Sequence, residues 1–587
     1  MLRARRPRSG RTAHGAVLVA FLGLLIGGCS FETSPGAEGR DTVEPDATRA
    51  LTWDEPSEDR DDPEVAPEIL ARVEAAQELG RVWAAGVGLR STETLPSFYR
   101  ERLFAPAWLD REGLSPAGRR VHEAIGGAGA DGLRPEDYHL REIDSLFVRL
   151  GEGGEEEAAR RAELDLLLTD GFLLYVSHLL HGRVEPTTIE PNWTASRNGV
   201  DVGAILREGI SGEEGLAQAL ARTRPYGERY AAMQAAMLRY QGFVEAGGWA
   251  PIPEGETLDP GMRTPRVDAL RRRLETSGEI PERSGPDRDL YDEELAEVVR
   301  SVQTRHGLQA DARVGRLTIA ALNVPAEARL EQLKVNLERW RWLPADLGDR
   351  HILVNIPGFF ASVVDDGVET MRLRAIVGRA YRQTPVFSGT MTYLAFAPYW
   401  NVPPGIAQND QLPKIREDPG YLASQNMTLF EAGTTRRVDP ATVDWTGMTG
   451  ATFNRRFWIR QEPGPSNALG KVKFMFPNRH NVYLHDTPAR ELFDQAARFL
   501  SSGCIRVERA LELAAHLLRD DPSWTPERIE RVVAGGREVP VTLPRPYQVH
   551  LQYFTAWVEA DGTLQLRDDI YDRDARVSRA LAAAPPS

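Results

Sequence analysis

Near residue 345 the spacing of apolar residues changes, and one layer architecture cannot serve both sides of that change. Upstream the period is helical. ELDLLLTDGFLLYVSHLLHGRVEP (163–186) places Leu164, Leu167, Leu168, Phe172, Tyr175, Val176 and Leu179 on one broad face, and LEQLKVNLERWRWLP (330–344) also reads as a helix. Asp170, Ser177 and His178 interrupt the first of these, which makes it a core helix and not a membrane span; His178 and His181 read as helix-end residues. Downstream, HILVNIPGFFASVVDDGVETMRLRAIVG has short β-rich runs broken by Asp365, Asp366 and Gly367, the pattern of strands and a hairpin. More strands are expected at 386–396, 471–476, 481–485 and 549–558. The expected class is multidomain α+β: a helical scaffold domain over 67–245, a small helical module over 262–325, a β-rich domain over 350–545, and a C-terminal strand segment and tail over 546–587.

The start, MLRARRPRSGRTAHGAVLVAFLGLLIGGCS, has five arginines, a short apolar run from Ala16 to Ile26, and small residues before Cys29. This is the layout of a secretory signal, too short to span a membrane comfortably. Ile-Gly-Gly-Cys resembles the bacterial lipobox, which implies removal of residues 1–28 and lipidation of Cys29; ordinary secretion is the alternative. Ser30 at the next position favours an outer-membrane anchor, giving a periplasmic, lipid-anchored protein. Loss of the five arginines takes the net charge from −14 to −19. A chain this acidic has no basic block to neutralise phosphates, which argues against a nucleic-acid partner. Residues 29–66, with the run DEPSEDRDDPE, read as a disordered acidic tether.

GGWAPIPEGETLDPGMRTP (247–265) reads as a linker, followed by a helix and an insert at 281–289 rich in Pro, Gly and charge. The stretch 292–323 resembles the small three-helix peptidoglycan-binding domain through Gln303, Gly307, Leu308, Asp311, Gly315 and Thr318. Val302 stands where that module usually has Phe, and Ala312 where it has Gly; a three-helix spacer without wall affinity is the other reading. The turn-rich stretch 398–450 is long enough to be a lid.

FLSSGCIRVERALELAAHLL (499–518) holds the one cysteine besides Cys29. A thiol becomes a nucleophile beside a histidine or a helix N-terminus. The apolar spacing predicts a helix over 507–518, directly after Cys504, whose N-terminus would favour the thiolate. Gly503 permits a tight turn and a backbone oxyanion site. His485 ends the strand NVYLHDTP, 19 residues upstream, and ARELFDQAARFLSS between them has helical spacing that can fold it back. Zinc is a weak rival: His480 and His485 with one cysteine lack paired-ligand spacing, and no metal or cofactor is expected. Arg506 can bind a carboxylate bidentately, or pair with Glu508.

HDTP…SSGCIRV is similar to the active-site signature of the L,D-transpeptidases, and NLERWRWLP, VNIP, YRQTPVFSG, YWNVPP, FPNRHNVYLHDTP and VHLQYFTAWVEADG resemble their long YcbB-like branch. The resemblance implies a helical scaffold, a three-helix peptidoglycan-binding module, and a β-rich, YkuD-type catalytic domain with an inserted lid. By that resemblance Cys504 attacks the diaminopimelate carbonyl of a tetrapeptide stem and D-Ala leaves. The side-chain amine of a second stem then resolves the thioester into a 3→3 crosslink. His485 would be the base, Asp486 its orienter through the backbone carbonyl, and the N–H groups around Gly503 and Cys504 the oxyanion site. Tyr483 and Trp400 match pocket residues, with Ser502 and Arg506 on the substrate side. Carbapenem-type inhibitors and a partner glycan synthase belong to the same expectation. The alternatives are a wall-binding structural lipoprotein, or an enzyme of this fold that attaches or releases wall-linked proteins.

Overall fold

A computed structural model describes residues 63–154, 156–190, 193, 201–211, 213–224, 227–282, 284–344 and 346–583. The expected signal, Cys29 and nearly all of the tether lie outside these residues. The tether's last four positions do not, and the last two of them open the helix Val65–Leu79, with Val65, Ile69 and Val73 buried. The helical body therefore starts slightly earlier than the acidic composition implied.

The scaffold is organised around the helix Glu157–His181, apolar enough on all sides to be enclosed by its neighbours. Its buried polar residues bind loop backbone. Asp165 accepts from Tyr99 Oη and from the Ala107 and Trp108 N–H groups, and Asp170 accepts from the Ser91 N–H and from His139. No helix of the described residues is long and apolar enough to cross a membrane.

The small module packs helices Pro265–Thr276, Glu293–Arg305 and Arg316–Leu322 around Val267, Leu270, Leu295 and Val299. The preceding stretch is not a free linker. Ile252 and Leu258 are buried in the module's core, and Leu258 pairs with Val314. Gln303 donates to Asp311 Oδ1 and accepts from the Ala312 N–H, closing the turn. Ala312 has φ of 61°, a left-handed conformation that explains why glycine suits that position.

The helix Ala326–Arg341 leads into the β-rich domain, with Arg341 fully buried between Glu338, Tyr230 Oη and the Asp131 carbonyl. Nine strands follow: β1 (Arg350–Asn355), β2 (Phe360–Asp365), β3 (Val368–Gly378), β4 (Phe387–Phe396), β5 (Val472–Met475), β6 (Leu484–His485), β7 (Phe499–Ser501), β8 (Ile505–Val507) and β9 (Val539–Gln552). They form one sheet in the order β7-β3-β8-β6-β5-β4-β9-β1-β2, and β2 pairs again with β3, so the sheet closes on itself. Helix Ala510–Leu517 adds Leu513, Ala514 and Leu517 to its core.

Two expected boundaries move. β9 runs through 545/546 and pairs with β1 and β4 beyond that point, because its alternating buried residues Val549 and Leu551 belong to the closed sheet. Residues 546–552 are therefore part of the closed sheet, while Ala556, Trp557, Leu564 and Leu566 pack with Tyr230, Met233, Leu333 and Leu337 of the preceding helices. The insert between β4 and β5 is likewise longer than 398–450. Its four-stranded sheet, ordered 437–438, 427–431, 457–461 and 400–401, extends to Gln461 and has its own core around Leu412, Ile415, Leu422, Phe453 and Ile459.

Candidate active site

β6 and β8 lie side by side in parallel, with Leu484 opposite Ile505 and His485 opposite Arg506. Leu484 and Ile505 are fully buried in the sheet's core. Strand alternation then sends Tyr483, His485, Cys504 and Arg506 to the other face. Four chemically distinct side chains thus line one face of this short parallel pair.

His485 is buried, and its Nδ1 lies 2.5 Å from the Asp486 carbonyl oxygen. A carbonyl can only accept, so Nδ1 carries the proton and Nε2 keeps its lone pair. Burial, with the Arg506 charge second, lowers the His485 pKa to about 3. The imidazole is therefore a neutral base across the physiological range. The Asp486 carboxylate does other work, accepting from the Lys471 N–H and from Arg490.

The half-buried Cys504 thiol lies 3.9 Å from the Asn481 carbonyl. Burial raises its pKa above the ordinary 9.0, opposed by the Tyr483 backbone, the Tyr483 hydroxyl and the Arg506 charge. Thiol and imidazole are thus both neutral at rest. The helix expected directly after Cys504 is displaced. Ile505–Val507 is a strand, since its β-branched residues alternate into the sheet, and the helix begins only at Ala510. The stretch before Cys504 is also not the expected helix, holding a single 3-10 turn over Arg490–Asp494 and then β7. A strand thus separates Cys504 from the helix, and no helix N-terminus stands directly after the thiol to favour its ionisation.

The oxyanion expectation changes as well. Gly503 has φ of 114°, which favours glycine, but its N–H donates to Ser501 Oγ at 3.1 Å and its carbonyl accepts from Thr384 Oγ1 at 2.9 Å. Ser501 Oγ in turn donates to the Cys504 carbonyl at 2.6 Å. The Cys504 N–H has no partner among the described residues, so it, and not Gly503, is the available donor.

Ser502 Oγ accepts from Arg382 at 2.9 Å. Arg506 does not pair with Glu508, whose two oxygens hold Arg374 at 2.6 and 2.9 Å. Its Nε is buried with no hydrogen-bond partner, and Arg379 lies close enough to add like charge. Tyr483 stands edge-on to His485, with ring centroids 5.8 Å apart. Burial raises the Tyr483 pKa, and Cys504 and Trp400 both act on its hydroxyl. Trp400 belongs to the insert, so that segment reaches the thiol's neighbourhood. His480 lies instead against the Phe387 ring at 4.9 Å. Arg382 and Asp410 carried no role in the sequence; Arg382 stands inside the quoted YRQTPVFSG, which is the signal that pointed to its loop.

Residues 349–533 match the L,D-transpeptidase catalytic domain family, enclosing the whole constellation. The chain carries an L,D-transpeptidase catalytic domain. Residues 93–237 match the scaffold domain, and residues 263–322 the family described as "Putative peptidoglycan binding domain". A Haemophilus influenzae protein named "Putative L,D-transpeptidase" is 36% identical over 252 residues, covering 43% of this chain and 49% of that protein. The match thus spans about half the length of that relative. An L,D-transpeptidase structure from Xylanimonas cellulosilytica aligns with 51% of this chain and 98% of its own at 16% identity. Its TM-score of 0.16 gives that likeness no weight. With matches to a helical scaffold domain and a putative peptidoglycan-binding domain ahead of a β-rich L,D-transpeptidase domain, the fold is multidomain α+β.

Proposed function

We propose that this protein is a cysteine L,D-transpeptidase that joins peptidoglycan stems by 3→3 crosslinks. The observation that carries the reading is His485, its Nδ1–H fixed by the Asp486 carbonyl and its ring kept neutral by burial, on the same sheet face as Cys504. Nε2 of His485 takes the thiol proton as Sγ attacks the carbonyl of diaminopimelate in a tetrapeptide stem. The developing oxyanion is stabilised by the Cys504 N–H. Collapse breaks the peptide bond, and His485 returns the proton to the departing D-Ala amine, leaving a thioester. The side-chain amine of an acceptor diaminopimelate then attacks that thioester. His485 takes its proton and gives it to the thiolate, releasing the crosslinked amide and restoring the thiol.

Because both resting groups are neutral, proton transfer must accompany attack, which makes the alignment of Nε2 decisive. Arg506, with a buried unpaired Nε, supplies a fork for a stem carboxylate, and Tyr483 and Trp400 wall the donor pocket. Lipidation at Cys29 would keep the acidic body in the periplasm at the outer membrane, and carbapenems would acylate Cys504 as donor mimics.

The test is expression of the full chain in a host deleted for its own L,D-transpeptidases, followed by muropeptide analysis. Wild type should yield 3→3 dimers and Cys504→Ala none. Dimers formed by Cys504→Ala would overturn the assignment.

A further inference from the structure

Arg382 stands on the turn between β3 and β4, closed by its own N–H to the Arg379 carbonyl at 2.8 Å. It holds partners from two distant stretches of chain. Nη1 and Nη2 donate to the two Asp410 oxygens at 2.5 and 2.9 Å, and Nη1 also donates to Ser502 Oγ at 2.9 Å. Asp410 lies in a π-helical turn of the insert, Ala407–Gln411, a wide turn that recurs at functional sites. That turn is braced within the insert, since Gln408 Oε1 accepts from Asn454 at 3.0 Å. Ser502 is the residue before Gly503, in the turn that presents Cys504.

The Arg382–Asp410 pair is partly open to solvent, at 20% and 36% exposure, so it adds little to global stability. Its geometry is what sets it apart: a planar fork filled on one edge by the insert, with a third bond to the nucleophile turn. The same turn is also held by Thr384 through the Gly503 carbonyl and by Ser501 Oγ through the Gly503 N–H and the Cys504 carbonyl, and Ser502 is the point at which Arg382 reaches it.

We infer that Arg382 is a positioning residue that couples the docked insert to the Cys504 turn. With the insert seated, Asp410 fixes the guanidinium, the guanidinium fixes the Ser502 hydroxyl, and the Cys504 thiol and N–H hold their direction. With the insert displaced, the guanidinium loses its anchor and the turn relaxes. The functional meaning of the coupling rests on the reading of Cys504 as nucleophile; the coupling itself does not.

The full chain should be alkylated with iodoacetamide, and modification of the Cys504 peptide followed by mass spectrometry. Asp410→Asn should change that rate by about threefold or more, the low end of coupling between contacting residues. In a Ser502→Ala background the same substitution should have no effect, because the path to the turn is already cut. Hydrogen exchange over 404–417 should rise in Asp410→Asn and in Arg382→Lys, and stay at the wild-type level in Ser502→Ala. Should Asp410→Asn fail to fold, Arg382→Lys, which keeps the charge and loses the fork, takes its place in the same cycle. An unchanged alkylation rate in wild-type background, or an equal change with and without Ser502, would overturn the inference. Alkylation needs only a thiol, so this outcome is independent of the muropeptide assay, which reads acyl transfer.

Discussion

Two groups of buried polar side chains in this molecule follow opposite rules. In the scaffold, Asp165 is fully buried and converges with three donors, Tyr99 Oη at 2.6 Å, the Ala107 N–H at 2.9 Å and the Trp108 N–H at 2.7 Å. Asp131 does the same for Tyr175, Arg224 and Gln234. In the proposed cleft three groups are left open: Arg506 Nε, His485 Nε2 and the Cys504 N–H have no partner among the described residues. An unpaired buried polar atom costs about 1–3 kcal/mol, and the scaffold carries such atoms too, at Arg90 Nη1 and Arg160 Nε, so what distinguishes the cleft is that its open groups share one sheet face. The scaffold commits these carboxylates to its own side chains and backbone, whereas the proposed cleft leaves donors and an imidazole nitrogen open, as the proposed reaction requires.

The sharpest way to break that comparison is to remove the open base. His485→Ala should lower the rate of transpeptidation by about 10²–10⁴, the range for a positioned acid–base group. Melting should stay near the wild-type value, since the Nδ1–H bond to Asp486 is the ring's one hydrogen bond among the described residues. A comparable loss of stability would move His485 into the structural group.

Asp165→Asn is the converse. An amide offers one acceptor oxygen and turns N–H donors toward the Ala107 and Trp108 N–H groups, so the scaffold should lose about 2–4 kcal/mol. Amide exchange over 94–181 reads that loss locally. Protein that remains folded should transfer acyl groups at the wild-type rate, because the substitution touches nothing in the cleft.

The third prediction concerns pH. Burial holds the Cys504 pKa above the ordinary 9.0, so its thiolate is the minor form below that value and falls about tenfold with each lower pH unit. With His485 depressed to about 3, no imidazolium is available near neutrality to stabilise a resting thiolate. Alkylation of Cys504 should therefore rise about tenfold per unit between pH 6 and 8 without a plateau. A plateau reached below pH 6 would mean a resting thiolate–imidazolium pair.

Much of the cleft was legible in the sequence because its central residues sit in short continuous motifs. The strand ending at His485 and the turn before Cys504 each carry their own local signal, so the pairing followed once both were seen. What escaped depends on contacts across the chain. Ile505 and Val507 have the alternation of a strand, but the apolar run after them has helical spacing, and β3 decides between the two by pairing with Arg506 and Val507. Whether Gly503 could donate to a substrate depends on the Ser501 rotamer, which composition does not encode. The 546–552 segment looked like an appendage because its partners, β1 and β4, lie more than a hundred residues upstream.

Glu508 shows the same limit and leads to the smallest expected effect. It stands two residues after Arg506, near enough in sequence for an ion pair, yet on a strand two residues span nearly 7 Å. Arg374 on the neighbouring β3 captures it with two bonds instead. Arg506 is thereby left half-buried, beside Cys504 and electrostatically near Arg379, with a guanidinium edge unfilled. Arg506→Lys keeps the charge, so any attraction of an anionic stem at long range survives. The compact ammonium cannot present two parallel N–H groups to one carboxylate, so the bidentate contact is lost. The KM for the donor stem should rise about tenfold, equivalent to about 1.4 kcal/mol, while kcat changes less because the fork is not aimed at the developing oxyanion. Steady-state kinetics on a soluble tetrapeptide stem, alongside the same stem amidated at its diaminopimelate carboxylate, provides the check. The amidated stem should show little difference between Arg506 and Lys at this position. A KM rise of equal size for both stems would assign Arg506 to shaping the cleft, on the scaffold's side of the comparison.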